Sequence, residues 1–140
     1  MGTATKALFT LDEASRALPL VRSIVTDLVS EFRALRTAGR ERRSLEAEGA
    51  GAAGERRSAS LAEAVNAASA RVEGYLRELA ALGLEVRDLE LGLVDFPTLM
   101  GPEPAFLCWR LGEPTIAFWH SADKGHTERQ PIDAAAAAAV

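Results

Sequence analysis

The sequence predicts an α+β fold in which a long antiparallel two-helix hairpin, coiled-coil-like in its packing, is followed by a small C-terminal antiparallel β-sheet. In two segments the apolar residues are spaced alternately three and four apart, and the spacing changes to two after Gly83. A length of 140 residues with 48% hydrophobic residues suits one domain with its own core. We therefore expect a single domain over residues 1–133 and an alanine-rich tail over 134–140.

The first helix is predicted over about residues 11–36. Thr10 and Glu13 have the spacing of a capping box, in which the threonine oxygen accepts from the third helical amide and the glutamate reaches back. The apolar positions that follow are Leu11, Ala14, Leu18, Val21, Val25, Leu28, Phe32 and Leu35. Their spacing predicts a helix that packs along a narrow seam, with Pro19 expected to kink or shorten its first segment.

A flexible charged loop is predicted over about residues 37–59, where glycines interrupt the apolar pattern. Ser60 and Glu63 have the spacing of a second capping box, and Gly83 suits a helix end, so the second helix is expected over about 61–82. Five arginines cluster around the loop among several glutamates: Arg40, Arg42, Arg43, Arg56 and Arg57. The mixed charge favours a solvated loop, with an RNA or phosphate-binding patch as the alternative.

A β-rich part is predicted over about residues 84–120. Its expected elements are an alternating segment at 89–93 and strands at 105–111 and 115–120, joined by a hairpin loop at 112–114 and followed by a loop over 121–133. Alternation places Cys108 on the same strand face as Phe106, and places Ile116 on the same face of the next strand as His120.

Charge and composition exclude several classes of protein. The net charge of −4 disfavours a nucleic-acid partner, and the single cysteine, Cys108, excludes an intramolecular disulfide. The sequence has neither a signal-peptide pattern nor a run of apolar residues long enough to span a membrane. These features predict a cytoplasmic protein with no membrane partner. Cys108 lies among apolar residues and is expected to be a buried, unreactive thiol.

Most of the residues that could carry chemistry fall between Asp88 and Arg129. One hypothesis is a divalent metal site for zinc, manganese or iron, built from His120, His126, Asp95 and Asp123. A second hypothesis is a pocket for an anionic or small-molecule ligand, built from Trp109, Arg110, Glu113, Trp119 and Arg129. The alternative to both is structural, because the acidic residues could pair with the arginines as polar fasteners of the sheet.

Several segments resemble the DUF2203 family of bacterial proteins. They are residues 92–97 (GLVDFP), 108–113 (CWRLGE) and 118–120 (FWH), with Gly125, Arg129 and the amino-terminal residues 9–14 (FTLDEA). The resemblance covers nearly the whole chain apart from the loop tip and the alanine tail. It implies no activity, so the function has to be argued from the residues.

Two functions fit these features. The first is a non-catalytic module for self-association or partner docking, with a polar and aromatic pocket in the β-rich part. Its helices carry a wider apolar face than one hairpin covers, which predicts a homodimer or larger assembly formed through the hairpin, with coverage by the sheet and the tail as the competing explanation. The second is a small metal- or anion-dependent enzyme with a site around His120, Asp95, Asp123 and Arg129.

Overall fold

The computed structural model describes residues 8–49 and 51–133. Helix α1 covers Leu11–Glu48 and helix α2 covers Gly51–Ala81. The strands that follow are β1 (Glu85–Asp88), β2 (Leu93–Met100), β3 (Glu103–Arg110), β4 (Phe118–Ser121) and β5 (Gln130–Pro131), with a short 3₁₀ turn at His126–Glu128 before β5. The structure confirms the α+β fold of a helical hairpin followed by an antiparallel sheet. The alanine-rich tail predicted at 134–140 lies outside the described residues.

The amino-terminal capping box is confirmed. The Glu13 amide donates to Thr10 Oγ1 at 3.0 Å, and the Thr10 amide donates to Glu13 Oε1 at 2.9 Å. These hydrogen bonds hold the pKa of the Glu13 carboxyl below its ordinary value. The helix then continues through Pro19 without a break, in contrast to the short first segment that the proline predicts.

The hairpin is longer than the sequence predicts. Residues 37–48 continue α1 and residues 51–60 begin α2, so these two parts of the segment expected to be a flexible loop are helical. Gly49 ends α1 in the left-handed conformation (φ 62°). Alanine, arginine and glutamate in this segment are strong helix formers, and pairing between the two helices outweighs the cost of the internal glycines. Ser60 and Glu63 therefore lie inside α2.

The five strands form one sheet in the order β1-β2-β3-β4-β5, and every neighbouring pair is antiparallel. Strand β2 starts only at Leu93 because Asp88 Oδ1 accepts from the amides of Glu90 and Leu91, each at 2.9 Å, and turns the chain there. Strand β4 starts at Phe118 rather than at residue 115. Ile116 lies before that strand and is buried in the core instead of following its alternation.

One face of the sheet packs on the base of the hairpin. Val94, Phe96, Leu107 and Trp109 belong to the same buried cluster as a set of α1 residues: Ala14, Leu18, Val21, Ile24, Val25, Leu28 and Val29. Ile24 and Val29 lie off the heptad seam. The sheet therefore covers part of the apolar helix surface that was expected to contact a second copy of the hairpin. Among the described residues, no helix is long and apolar enough to cross a membrane.

Candidate metal centre

The face of the sheet that points away from the helices carries a buried polar cluster. The strand register places Asp95 on β2 directly opposite Cys108 on β3. His120 on β4 pairs with Phe106, which makes it a diagonal neighbour of Cys108 on the same face. The side chains of Asp95 and Cys108 are 0% exposed and that of His120 is 2% exposed. Three successive strands therefore each contribute one metal-donor side chain to one buried point.

The three side chains are close enough to bind one ion together. A carboxylate oxygen of Asp95, the sulfur of Cys108 and a ring nitrogen of His120 lie within 4.8 Å of one another. In the part of the chain that the structure describes, no other group of three or more such donors meets this distance.

Hydrogen bonds orient the His120 ring. Its Nδ1 lies 2.9 Å from the backbone oxygen of Ser121. A carbonyl oxygen can only accept, so Nδ1 carries a hydrogen and donates it. The other ring nitrogen, Nε2, faces Asp95 Oδ2 at 2.9 Å.

The carboxylate of Asp95 is held at one oxygen and free at the other. Its Oδ2 also accepts from Arg87 Nε at 2.8 Å, and the Arg87 guanidinium lies 4.9 Å from the centre of the Phe106 ring. Its Oδ1 is buried and has no hydrogen-bond partner among the described residues. A buried carboxylate oxygen normally has a partner, and the Cys108 thiol also interacts with this carboxylate, which adds to the rise in the pKa of the thiol.

Cys108 is protonated in the metal-free protein. Burial raises the pKa of its thiol to about 12, and the negative charge of Asp95 acts in the same direction. The guanidinium of Arg129, with Nη1 3.9 Å from the sulfur, opposes these effects only in part. This agrees with the expectation of an unreactive thiol, since a thiol without a bound cation would keep its proton at neutral pH.

Arg129 and Glu113 form a second polar pair beside the cluster. Arg129 Nη1 and Nη2 donate to the two carboxylate oxygens of Glu113 at 3.1 and 2.7 Å. These hydrogen bonds raise the pKa of Arg129, and its guanidinium lies 4.0 Å from the centre of the Phe118 ring. Glu113 Oε1 also accepts from the Arg110 amide at 2.8 Å. The guanidinium is thus paired with a carboxylate of the chain itself.

The two tryptophans of the predicted ligand pocket lie on the opposite face of the sheet. Trp109 is fully buried on the helix side, and its indole nitrogen donates to the backbone oxygen of Glu113 at 2.9 Å. Trp119 packs against the same core cluster, and Arg110 is exposed. The sheet therefore separates the two tryptophans from His120 and Arg129.

The structure brings together two of the four residues of the predicted metal site, His120 and Asp95. Asp123 is exposed and accepts from Ser121 Oγ at 2.8 Å, which lowers the pKa of its carboxyl. His126 lies in the 3₁₀ turn, and neither it nor Asp123 belongs to the close donor group. Sequence reasoning missed Cys108 as a donor. The signal that could have found it was its position opposite Asp95 in a β2–β3 hairpin.

Comparison with known proteins identifies the family. Neither the curated proteins nor the solved structures contain a match to this chain. The model of a family described as "Uncharacterized conserved protein (DUF2203)" matches residues 7–132, nearly the whole chain, and the protein belongs to that family.

Proposed function

We propose that this protein binds a divalent transition-metal ion, zinc by preference, through Asp95, Cys108 and His120. The observation that carries the proposal is a buried cluster in which a carboxylate oxygen of Asp95, the Cys108 sulfur and a ring nitrogen of His120 lie within 4.8 Å of one another, while Oδ1 of Asp95 has no hydrogen-bond partner among the described residues. A cation at this point would supply the missing partner. It would also compensate the charge of a thiolate and a carboxylate buried together.

Neighbouring groups support a ligand role for His120 and Asp95. Histidines that bind metals usually donate their second ring N–H to a carbonyl or carboxylate, which fixes the tautomer and the ring orientation. The bond from Nδ1 to the Ser121 oxygen does this, and Nε2 would exchange its contact with Asp95 Oδ2 for the ion. Arg87 holds Oδ2 of Asp95 in the same manner and leaves Oδ1 for the ion.

The donor set favours zinc over the other two candidate metals. Thiolate and imidazole are ligands that zinc prefers, whereas manganese prefers sites made of oxygen ligands. Iron(II) sites without thiolates typically use two histidines and one carboxylate, a set that the close donor group does not provide. Three protein ligands leave one position of a tetrahedral zinc ion open, the arrangement found in catalytic zinc sites.

We expect near-stoichiometric zinc in wild-type protein that has been purified without a tag and loaded with Zn²⁺. Cys108→Ala removes one ligand with little change in volume, and it should lower the bound zinc at least tenfold after dialysis, because two ligands hold zinc far more weakly than three. Elemental mass spectrometry measures the bound metal. Circular dichroism should show that the variant is still folded.

The matched control is the double variant Asp123→Ala/His126→Ala, which removes the two predicted ligands that lie outside the donor group. It should retain the zinc of the wild type. Loss of zinc in this control but not in Cys108→Ala would assign the metal to the set of residues predicted from sequence. Wild-type protein that takes up no metal would overturn the proposal.

Self-association through the hairpin is a second proposal, and it can be tested at Leu20 on α1. Leu20 is 55% exposed, so its side chain is free to contact a second copy. If a second copy covers this surface, sedimentation equilibrium should give twice the monomer mass at micromolar concentration and the monomer mass for Leu20→Glu. Leu99→Glu is the control, since Leu99 is 41% exposed but lies on β2. A wild-type chain that stays monomeric would contradict this proposal.

A further inference from the structure

A row of arginines lies on one face of α1, beyond the part that contacts the sheet. Arg33, Arg36 and Arg40 are three and four residues apart, which brings their side chains to the same side of the helix. No acidic residue occurs between positions 32 and 40. The flanking glutamates turn towards α2, where Glu31 pairs with Arg71 and Glu41 with Arg57. This face of the helix therefore carries a local positive charge although the whole chain is acidic.

The three arginines line a cleft of about 480 Å³, together with Thr37, Glu90 and Leu91. We call it the arginine cleft. It forms where the turn between β1 and β2 lies against α1. Glu90 pairs with Arg36. Arg33 and Arg40 are exposed and make no ion pair with any residue that the structure describes. Two unpaired guanidinium groups thus border one small concave site.

The chemistry of the cleft favours phosphate over other ligands. A guanidinium donates two parallel hydrogen bonds to phosphate oxygens, and the Thr37 hydroxyl adds a neutral donor between the two free arginines. The volume lies within the range of about 300–1,000 Å³ that is common for small-molecule sites. Arg40 lies seven positions after Arg33, so their backbone positions are about 10.5 Å apart along the helix. This separation suits a chain of phosphates better than a single phosphate.

The cleft offers no aromatic surface for a nucleobase. Phe32 is the nearest aromatic residue in sequence, and its ring is already faced by the Arg36 guanidinium at 5.8 Å. Proteins that bind single-stranded nucleic acids normally stack bases on free aromatic rings. The arrangement therefore points to recognition through phosphates and not through bases.

We propose that the arginine cleft binds an oligophosphate group, carried either by inorganic polyphosphate or by a nucleoside triphosphate. Arg33 and Arg40 would bind the outer phosphates and Thr37 a central one. Arg36 lines the cleft but is already paired with Glu90, so it would not bind a phosphate. This assignment uses none of the proposed zinc ligands, so it stands or falls independently of the metal centre.

Isothermal titration calorimetry with tripolyphosphate and with ATP tests the proposal. Metal-stripped protein must be used, because oligophosphates chelate metal ions and would otherwise give heat from that reaction. We expect both probes to bind the wild-type protein with similar affinity, and orthophosphate to bind at least tenfold more weakly. Arg33→Gln/Arg40→Gln should weaken tripolyphosphate binding tenfold or more, through loss of charge-assisted hydrogen bonds.

The matched control is Arg56→Gln/Arg77→Gln, which removes the same charge from two exposed arginines outside the cleft. It should change the affinity for tripolyphosphate less than threefold. Equal weakening by the two double variants would show only general attraction of anions, and would overturn the proposal. Absence of tripolyphosphate binding would also overturn it, including the case in which only ATP or a 20-nucleotide RNA binds.

Discussion

Replacing Asp95 by alanine is expected to lower the free energy of unfolding by about 3 kcal/mol in metal-free protein. The carboxylate connects Arg87 on β1 with His120 on β4, and its loss leaves the His120 Nε2 buried without a partner. Breaking a buried pair on one side typically costs roughly 3–5 kcal/mol. The lower end applies here because the Arg87 side chain is 40% exposed and can regain water. Urea denaturation in the presence of a chelator measures the effect.

Asp95→Asn is the conservative variant for this comparison. Its amide keeps one of the two hydrogen bonds that Oδ2 makes and leaves no cavity, so it should cost clearly less than Asp95→Ala. Asp123→Ala, at an exposed aspartate, should leave the free energy of unfolding close to that of the wild type. If Asp95→Ala were as mild as Asp123→Ala, the cluster would not hold the sheet together as the structure indicates.

The second large effect is expected at Gly92, in the turn that precedes β2. Gly92 has a φ of +67°, and a Cβ there would lie 2.8 Å from Leu111 Cβ and 3.1 Å from methyl carbons of Val25 and Val29. The left-handed backbone costs an L-residue about 1–2 kcal/mol, and overpacking of a core adds about 1–3 kcal/mol. We expect Gly92→Ala to lower the free energy of unfolding by roughly 2–5 kcal/mol in urea denaturation.

Gly101→Ala separates the two contributions at Gly92. Gly101 has nearly the same backbone conformation (φ +61°), but no atom lies within 4 Å of an added Cβ. It should therefore show only the backbone cost of about 1–2 kcal/mol. The difference between the two variants measures how tightly the turn packs on α1. Equal destabilisation would contradict the close approach seen in the structure.

The sequence predicts the helices correctly where regularly spaced apolar residues define one face. The seam from Ala14 to Leu28 predicts the buried face of α1, and each of its members is buried. The extent of the hairpin was not readable, because glycines at 39, 49, 51 and 54 suggest a loop when local preferences alone are counted. Contact between two long helices is a tertiary effect that a local pattern does not contain.

The candidate site could be predicted only in part, because it also depends on contacts between distant segments. Alternation places Cys108 and His120 on definite faces of their strands, but it says nothing about which residues of neighbouring strands lie opposite each other. That depends on register, and here the two-residue connection between Met100 and Glu103 brings Asp95 opposite Cys108. Ile116 was expected on the same strand face as His120. It lies in the loop before β4 instead, and its side chain is buried in the core.

The helical hairpin extends well beyond the sheet, so its length could change without disturbing the Asp95 cluster. The residues of α1 that are buried end at Val29, and the helix continues to Glu48. No side chain of the Asp95 cluster comes from either helix. Removing seven residues from each helix near the tip would keep the heptad seam in phase and shorten the hairpin by about 10 Å. The outer hairpin is thus a part of adjustable length, whereas the base and the sheet tolerate no such change.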